Sequence, residues 1–187
     1  MTISVLDDVY KKWLDSVSYK ESFERYLDNY KLPSDIDIWT ISPTHPFELV
    51  DEQWLKIVGE NINNKTTLPN YLSKINQRIQ SKQAKTVGIT FWADVKTLLE
   101  FDPQTMTTLS SFAECVTFYI DHFYKLDTAI RNLYTEFSNQ KELLAPFQVH
   151  YQQITSIFLD KWFQFFDGYQ ERKRLALPPI LNFHPVI

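Results

Sequence analysis

Apolar positions recur at helical spacing along most of this chain, and the longest unbroken case runs from Phe112 to Phe137. Phe112, Val116, Tyr119, Phe123, Leu126, Ile130, Leu133 and Phe137 are separated by alternating steps of 4 and 3, which keeps them on one stripe of a helix. At 1.5 Å per residue that helix is roughly 39 Å long. Each of these side chains is worth roughly 1.5–3 kcal/mol when fully buried, so the stripe demands a covering element. Ser111 followed by Glu114 reads as the capping box that opens the helix. Phe118, Ile120 and Tyr124 widen the apolar arc of the first half, whereas Asp127, Thr128, Arg131, Asn132 and Thr135 flank the second. The first half is therefore expected to be buried on more sides.

The natural cover is a second stripe, Phe147, Tyr151, Ile154, Phe158, Trp162, Phe165 and Tyr169, spaced 4, 3, 4, 4, 3 and 4. Pro146 suits its first turn, where a missing N–H costs nothing. Gly168 weakens its end, and Pro178-Pro179 forbids continuation. Ser138 and Asn139 break the first long helix and Gln140 to Leu144 reverse the chain, which predicts an antiparallel helical hairpin.

Upstream, Leu6, Val9, Trp13 and Val17 predict an amphipathic amino-terminal helix with Asp7, Asp8, Lys11, Lys12 and Asp15 outside. Ser18 with Glu21 caps a second helix carrying Phe23, Leu27 and Tyr30, ended by Pro33. Pro46 opens a helix with Phe47, Val50, Trp54 and Ile57 inward, Asp51 and Glu52 on its outer face, and Gly59 as its left-handed cap. Pro69 opens the next, with Leu68, Leu72, Ile75 and Ile79 inward and Lys74, Arg78 and Lys82 outward. Trp92 to Phe101 is a short helix with Val95 and Leu98 or Leu99 inward, and Asp102 before Pro103 caps a further turn. Asp35 to Ser42, Thr86 to Phe91 and Ile180 to Ile187 are short and rich in β-branched or apolar residues, so each is either a strand or extended loop.

Composition narrows the fold class. A chain of 187 residues, 44% hydrophobic and 16% aromatic, can build one sizeable core, and no low-complexity linker divides it. Three glycines argue against a Rossmann crossover, a P-loop or a glycine-turned sandwich, which need residues at positive φ. The expected fold is mainly α: a single-domain irregular helical bundle over 1–187, built on the long antiparallel helical hairpin, with at most a small β-ribbon. One cysteine cannot form an internal disulfide and no run of ~18 apolar residues is present, so the expectation is a cytoplasmic protein that does not enter a membrane.

Charge divides the chain into three segments. Residues 1–60 carry 6 Lys/Arg against 12 Asp/Glu, residues 61–90 carry 5 against none, and residues 91–187 carry 8 against 11. The net charges, −6, +5 and −3, sum to −4. Lys65, Lys74, Arg78, Lys82 and Lys85, with Tyr71 as a stacking surface, are thus the candidate surface for an acidic partner or for nucleic acid. Phe158, Trp162, Phe163 and Phe166 exceed what one neighbouring helix covers, and form the candidate apolar interface or pocket.

No catalytic constellation emerges from the spacing of the titratable residues. Cys115 and His122 share a helix face but stand two turns apart, roughly 10.5 Å, too far for a thiol–imidazole hydrogen bond. Asp121 beside His122 points about 100° away from it. His45, His150 and His184 have no carboxylate or cysteine at metal-ligand spacing. No catalytic residue, cofactor site or metal site is assigned. The expected function is a non-enzymatic helical module that binds another protein chain, as a subunit or adaptor. The alternatives are a nucleic-acid-associated subunit using residues 61–90, and a small-molecule binder or enzyme with a pocket between the long helices.

Overall fold

Helices account for most of the chain that a computed structural model describes, namely Pro43, residues 48–86 and residues 88–173. The two amino-terminal helices, the strand expected at Asp35–Ser42, Pro46 and Phe47, and the tail Ile180–Ile187 lie outside the described residues.

The first described helix, α1 (Glu48–Glu60), is followed by α2 (Leu68–Gln80), α3 (Lys82–Thr86) and α4 (Trp92–Glu100). Among the described residues there is no strand: of the segment Thr86–Phe91, Thr86 ends α3, and Gly88 to Phe91 are turn and irregular backbone. Gly88 sits there at φ 82°, a conformation only glycine adopts freely, and Ile89 N–H bonds back to the Ala84 carbonyl. A 3₁₀ turn, Pro103–Thr108, starts where Asp102 accepts from the Gln104 N–H at 2.9 Å. The stripe from Phe112 is helical throughout, as α5 (Phe112–Phe118), a π turn (Tyr119–Phe123) and α6 (Tyr124–Glu136). A 3₁₀ turn, Lys141–Leu144, leads into α7 (Ala145–Lys173).

These elements form two compact units. The first comprises Met1–Phe101 with Lys125–Tyr151, the second Asp102–Tyr124 with Gln152–Ile187. In the first unit Val50, Trp54, Leu55, Val58, Ile75, Val95 and Leu98 build the core with Leu126, Leu133, Leu144 and Phe147, all essentially without solvent contact. Phe91 meets Phe137 edge-on at 4.8 Å. Gly59 is not a left-handed cap but an interior helical residue; a β-carbon there would lie 3.2 Å from both Phe147 Cε2 and Pro146 Cγ, so the missing side chain lets α1 approach the start of α7. The Tyr151 hydroxyl donates to Asp127.

In the second unit Phe123 stacks on Phe158 at 4.4 Å, and Phe112 touches Trp162, Phe166 and Tyr169 at 4.8, 5.3 and 4.8 Å. Met106, Cys115 and Ile154 are buried beside this ladder. The cap is a variant of the expected box: Ser111 Oγ accepts from Glu114 N–H at 3.2 Å, but the Glu114 carboxylate reaches Ser110, accepting from its N–H at 2.8 Å. The burial gradient runs opposite to expectation. Ile120 and Tyr124 in the first half of the stripe's segment are exposed, whereas Leu126, Ile130 and Leu133 in the second half are buried.

Candidate functional site

The basic segment is not the continuous surface that its sequence suggests. On α2 the buried positions are Tyr71, Ile75 and Arg78, a stripe turned from the expected Leu68, Leu72, Ile75 and Ile79, of which all but Ile75 are half-buried. Arg78, expected outside, is completely buried, and so is Asp51, expected on the outer face of α1. They pair side-on: Arg78 Nε donates to Asp51 Oδ1 at 2.9 Å and its terminal nitrogen to Oδ2 at 2.7 Å. The remaining guanidinium nitrogen donates to the Pro43 carbonyl at 2.8 Å. Trp92 Nε1 donates to Asp51 Oδ1 at 2.5 Å.

This cluster ties α1, α2 and α4 together through one carboxylate. Two buried charges are costly to desolvate, and only such close, multiply bonded geometry offsets that cost. Arg78 is therefore a structural residue and offers nothing to a phosphate or an acidic partner. Buried Tyr71 offers no stacking face either. Lys74 is half-buried, its ammonium 5.7 Å from the Trp54 ring, a cation–π distance. Lys65, Lys82 and Lys85 are exposed, and Ser81, extended at ψ 125°, interrupts the helix between α2 and the last two.

The aromatic set divides as well. Phe158 is buried in the second unit, Trp162 and Phe166 are half-buried against Phe112, and Phe163 points outward with 56% of its surface exposed. Sequence reasoning missed its companions. Tyr119, Ile120 (61% exposed), Tyr124, Ile157, Leu159 and Tyr169 are also open to solvent in this unit, whereas in the first unit the only comparable described residue is Val149. Ile120, Tyr124, Ile157 and Leu159 are apolar positions beside the two stripes, a signal visible in the sequence, whereas Tyr119 and Tyr169 lie on the stripes themselves.

The titratable groups do not converge. Burial pushes the Cys115 thiol above its usual range and the neighbouring Glu114 adds to this, against a smaller opposite effect of Lys161, which favours the inert protonated form. His122 is exposed, its ring 5.2 Å from that of Phe118. His150, in the first unit, is 3.2 Å from the Leu98 carbonyl, and burial lowers its pKa below 6.5 despite that contact. No group of three or more His, Cys, Asp or Glu among the described residues could hold a metal ion. A cavity of about 110 Å³ in the first unit is lined by Glu52, Glu136, Phe137, Asn139 and Gln140, with Gln140 donating to Glu52 at 2.9 Å. That volume suits a few waters better than an organic ligand. No described helix is long and apolar enough to cross a membrane.

Comparisons with protein-family models, with curated proteins and with solved structures find no match to this chain.

Proposed function

We propose that the chain is a helical protein–protein interaction module, a non-enzymatic subunit or adaptor of a larger cytoplasmic assembly. One observation carries this reading: large apolar side chains at solvent are concentrated in the second unit, where Ile120 and Phe163 are more than half exposed. Scattered exposed apolar residues are ordinary, but a concentration of aromatic and branched side chains in one unit is what partner-binding surfaces look like. The basic segment supports the reading less, because Arg78 and Tyr71 are taken up by the core.

The test is affinity capture from native cells by the full chain and by Ile120→Ser/Phe163→Ser, with nuclease present, at low and at ~0.5 M salt. A protein recovered by the wild type and lost with the double variant supports the module and its surface. Equal recovery by both would remove the second unit from binding. Nucleic acid recovered without nuclease and released by salt would instead favour the exposed lysines Lys65, Lys82 and Lys85.

A further inference from the structure

Four exposed apolar side chains of the second unit come in pairs one helical turn apart, Ile120 with Tyr124 and Leu159 with Phe163. Residues at i and i+4 are neighbours on a helix surface, so each pair makes a short apolar ridge. Acidic side chains stand beside both. Asp121 follows Ile120 and precedes Tyr124 by three positions; Asp160 precedes Phe163 by three and Asp167 follows it by four, placing both on the Phe163 side of α7. All three carboxylates are exposed.

The wider unit has the same sign. Residues 102–124 and 152–187 contain six Asp/Glu and four Lys/Arg, a net −2, and Lys161 is half-buried, 5.9 Å from the Phe165 ring. A second copy that presented the same ridges would bring Asp121, Asp160 and Asp167 against their own like, and the phosphates of a nucleic acid or an anionic lipid surface would meet the same carboxylates. A cationic partner with an apolar stripe is matched on both counts. Ridges of one-turn repeat take a helix better than an extended strand, whose side chains alternate at period 2. Ile120 and Asp121 lie in the π turn, a local widening of the helix that recurs at functional sites.

We infer that these two ridges bind a basic amphipathic helix of a partner protein, its apolar stripe on Ile120, Tyr124, Leu159 and Phe163 and its Lys/Arg flanks on Asp121, Asp160 and Asp167. This rests on the interaction-module reading and adds the chemistry of the partner.

The experiment is fluorescence-anisotropy titration of the full chain with three labelled helical peptides of about 18 residues, roughly 27 Å long. One carries Leu and Trp on one face and Lys on the other, the second has Glu in place of Lys, and the third is a scramble of the first. The Lys peptide is expected to bind at least about 10-fold more tightly than the other two, a difference of about 1.4 kcal/mol. Ile120→Ser/Phe163→Ser should weaken it about 10-fold or more. Asp121→Asn/Asp160→Asn/Asp167→Asn should weaken it similarly and flatten its salt dependence. Each variant is checked by its thermal unfolding curve, and a variant that no longer folds is replaced by Phe163→Ser alone. No binding of the Lys peptide, equal binding of the Glu peptide, or undiminished binding by the folded variants would overturn the inference. So would sedimentation showing a dimer of the wild type that Phe163→Ser disperses, since the ridges would then belong to a second copy. If native-cell capture still depends on Ile120 and Phe163 while the Lys peptide does not bind, the module stands and the basic helix falls; if capture too is indifferent to them, both fall.

Discussion

The first unit buries an ion pair, and the second leaves large hydrophobes at its surface. In the first, even a carboxylate and a guanidinium are drawn fully inside, where Asp51 and Arg78 satisfy one another with help from Trp92 and Pro43. In the second, an aromatic ladder fills the interior through Phe123 and Phe158, yet Ile120, Tyr124, Leu159 and Phe163 remain at solvent. The lesson is that neither polarity nor apolarity alone tells inside from outside. A charge is buried where a partner of the right geometry meets it, and an apolar side chain stays out once the faces its unit can cover are used up.

The largest expected effect breaks the first unit. Asp51→Ala leaves the Arg78 guanidinium buried without its counter-charge and should cost about 3–5 kcal/mol in urea unfolding. Asp51→Leu/Arg78→Met removes both charges and should be clearly less destabilised than Asp51→Ala. A cost for Asp51→Ala below about 1 kcal/mol would mean that the pair is open to water. Next comes the ladder of the second unit, where Phe158→Ala should cost about 3–5 kcal/mol. Half-buried Trp162, which the sequence places in the core, should cost visibly less when truncated to alanine in the same assay. Equal losses would put both rings inside.

The two helical glycines sharpen the comparison at smaller scale. Gly168 in α7 has open space where a β-carbon would stand, whereas Gly59 faces Phe147 and Pro146 at 3.2 Å. Gly168→Ala should therefore gain about 0.8–1 kcal/mol from helix propensity, and Gly59→Ala should gain nothing, because the rigid proline ring must yield. Thermal midpoints that rise equally in both would contradict the close approach at Gly59.

The smallest effect is a pH dependence in the first unit. Burial lowers the His150 pKa below its ordinary 6.5 in the folded chain, so between that lowered value and 6.5 the unfolded chain binds more protons and stability falls as pH falls. Asp94 has the opposite sign. Burial raises its pKa above 3.8, partly offset by the hydrogen bond from Asn132, so stability rises as pH drops through that raised value toward 3.8. Between about pH 7.5 and about pH 5.5 the His150 contribution is the one in play. His150→Asn should lose less stability over that interval than the wild type does.

Much of the fold was legible because helices are local. The Phe112–Phe137 stripe, the break at Ser138, the turn after Asp102 and the start of α7 beside Pro146 all follow from spacing, caps and prolines within a few residues. The Asp51–Arg78 pair was not legible, since 27 residues separate its members and a charged residue on a helix is by default a solvated one. A trace of it was there: Arg78 continues the 4, 3 spacing of Tyr71 and Ile75, so the better stripe on α2 carried a charge that had to be matched. The π turn left no sequence signal. Phe163 was singled out for its aromatic surroundings, but that Ile120 and Tyr124 would also stay outside depended on how many faces the second unit covers, which is a property of packing and not of pattern.

If the outward apolar side chains of the second unit serve a partner, they do not serve its fold. Urea unfolding of Ile120→Ser and of Phe163→Ser, each made singly, tests it most directly, because isoleucine, phenylalanine and serine have similar helix propensities and the substitution changes little else. Stability within about 0.5 kcal/mol of the wild type is the expected result for each exposed position. A loss of about 2 kcal/mol or more at either would show that these side chains belong to the core, leaving no apolar surface there for a partner to bind.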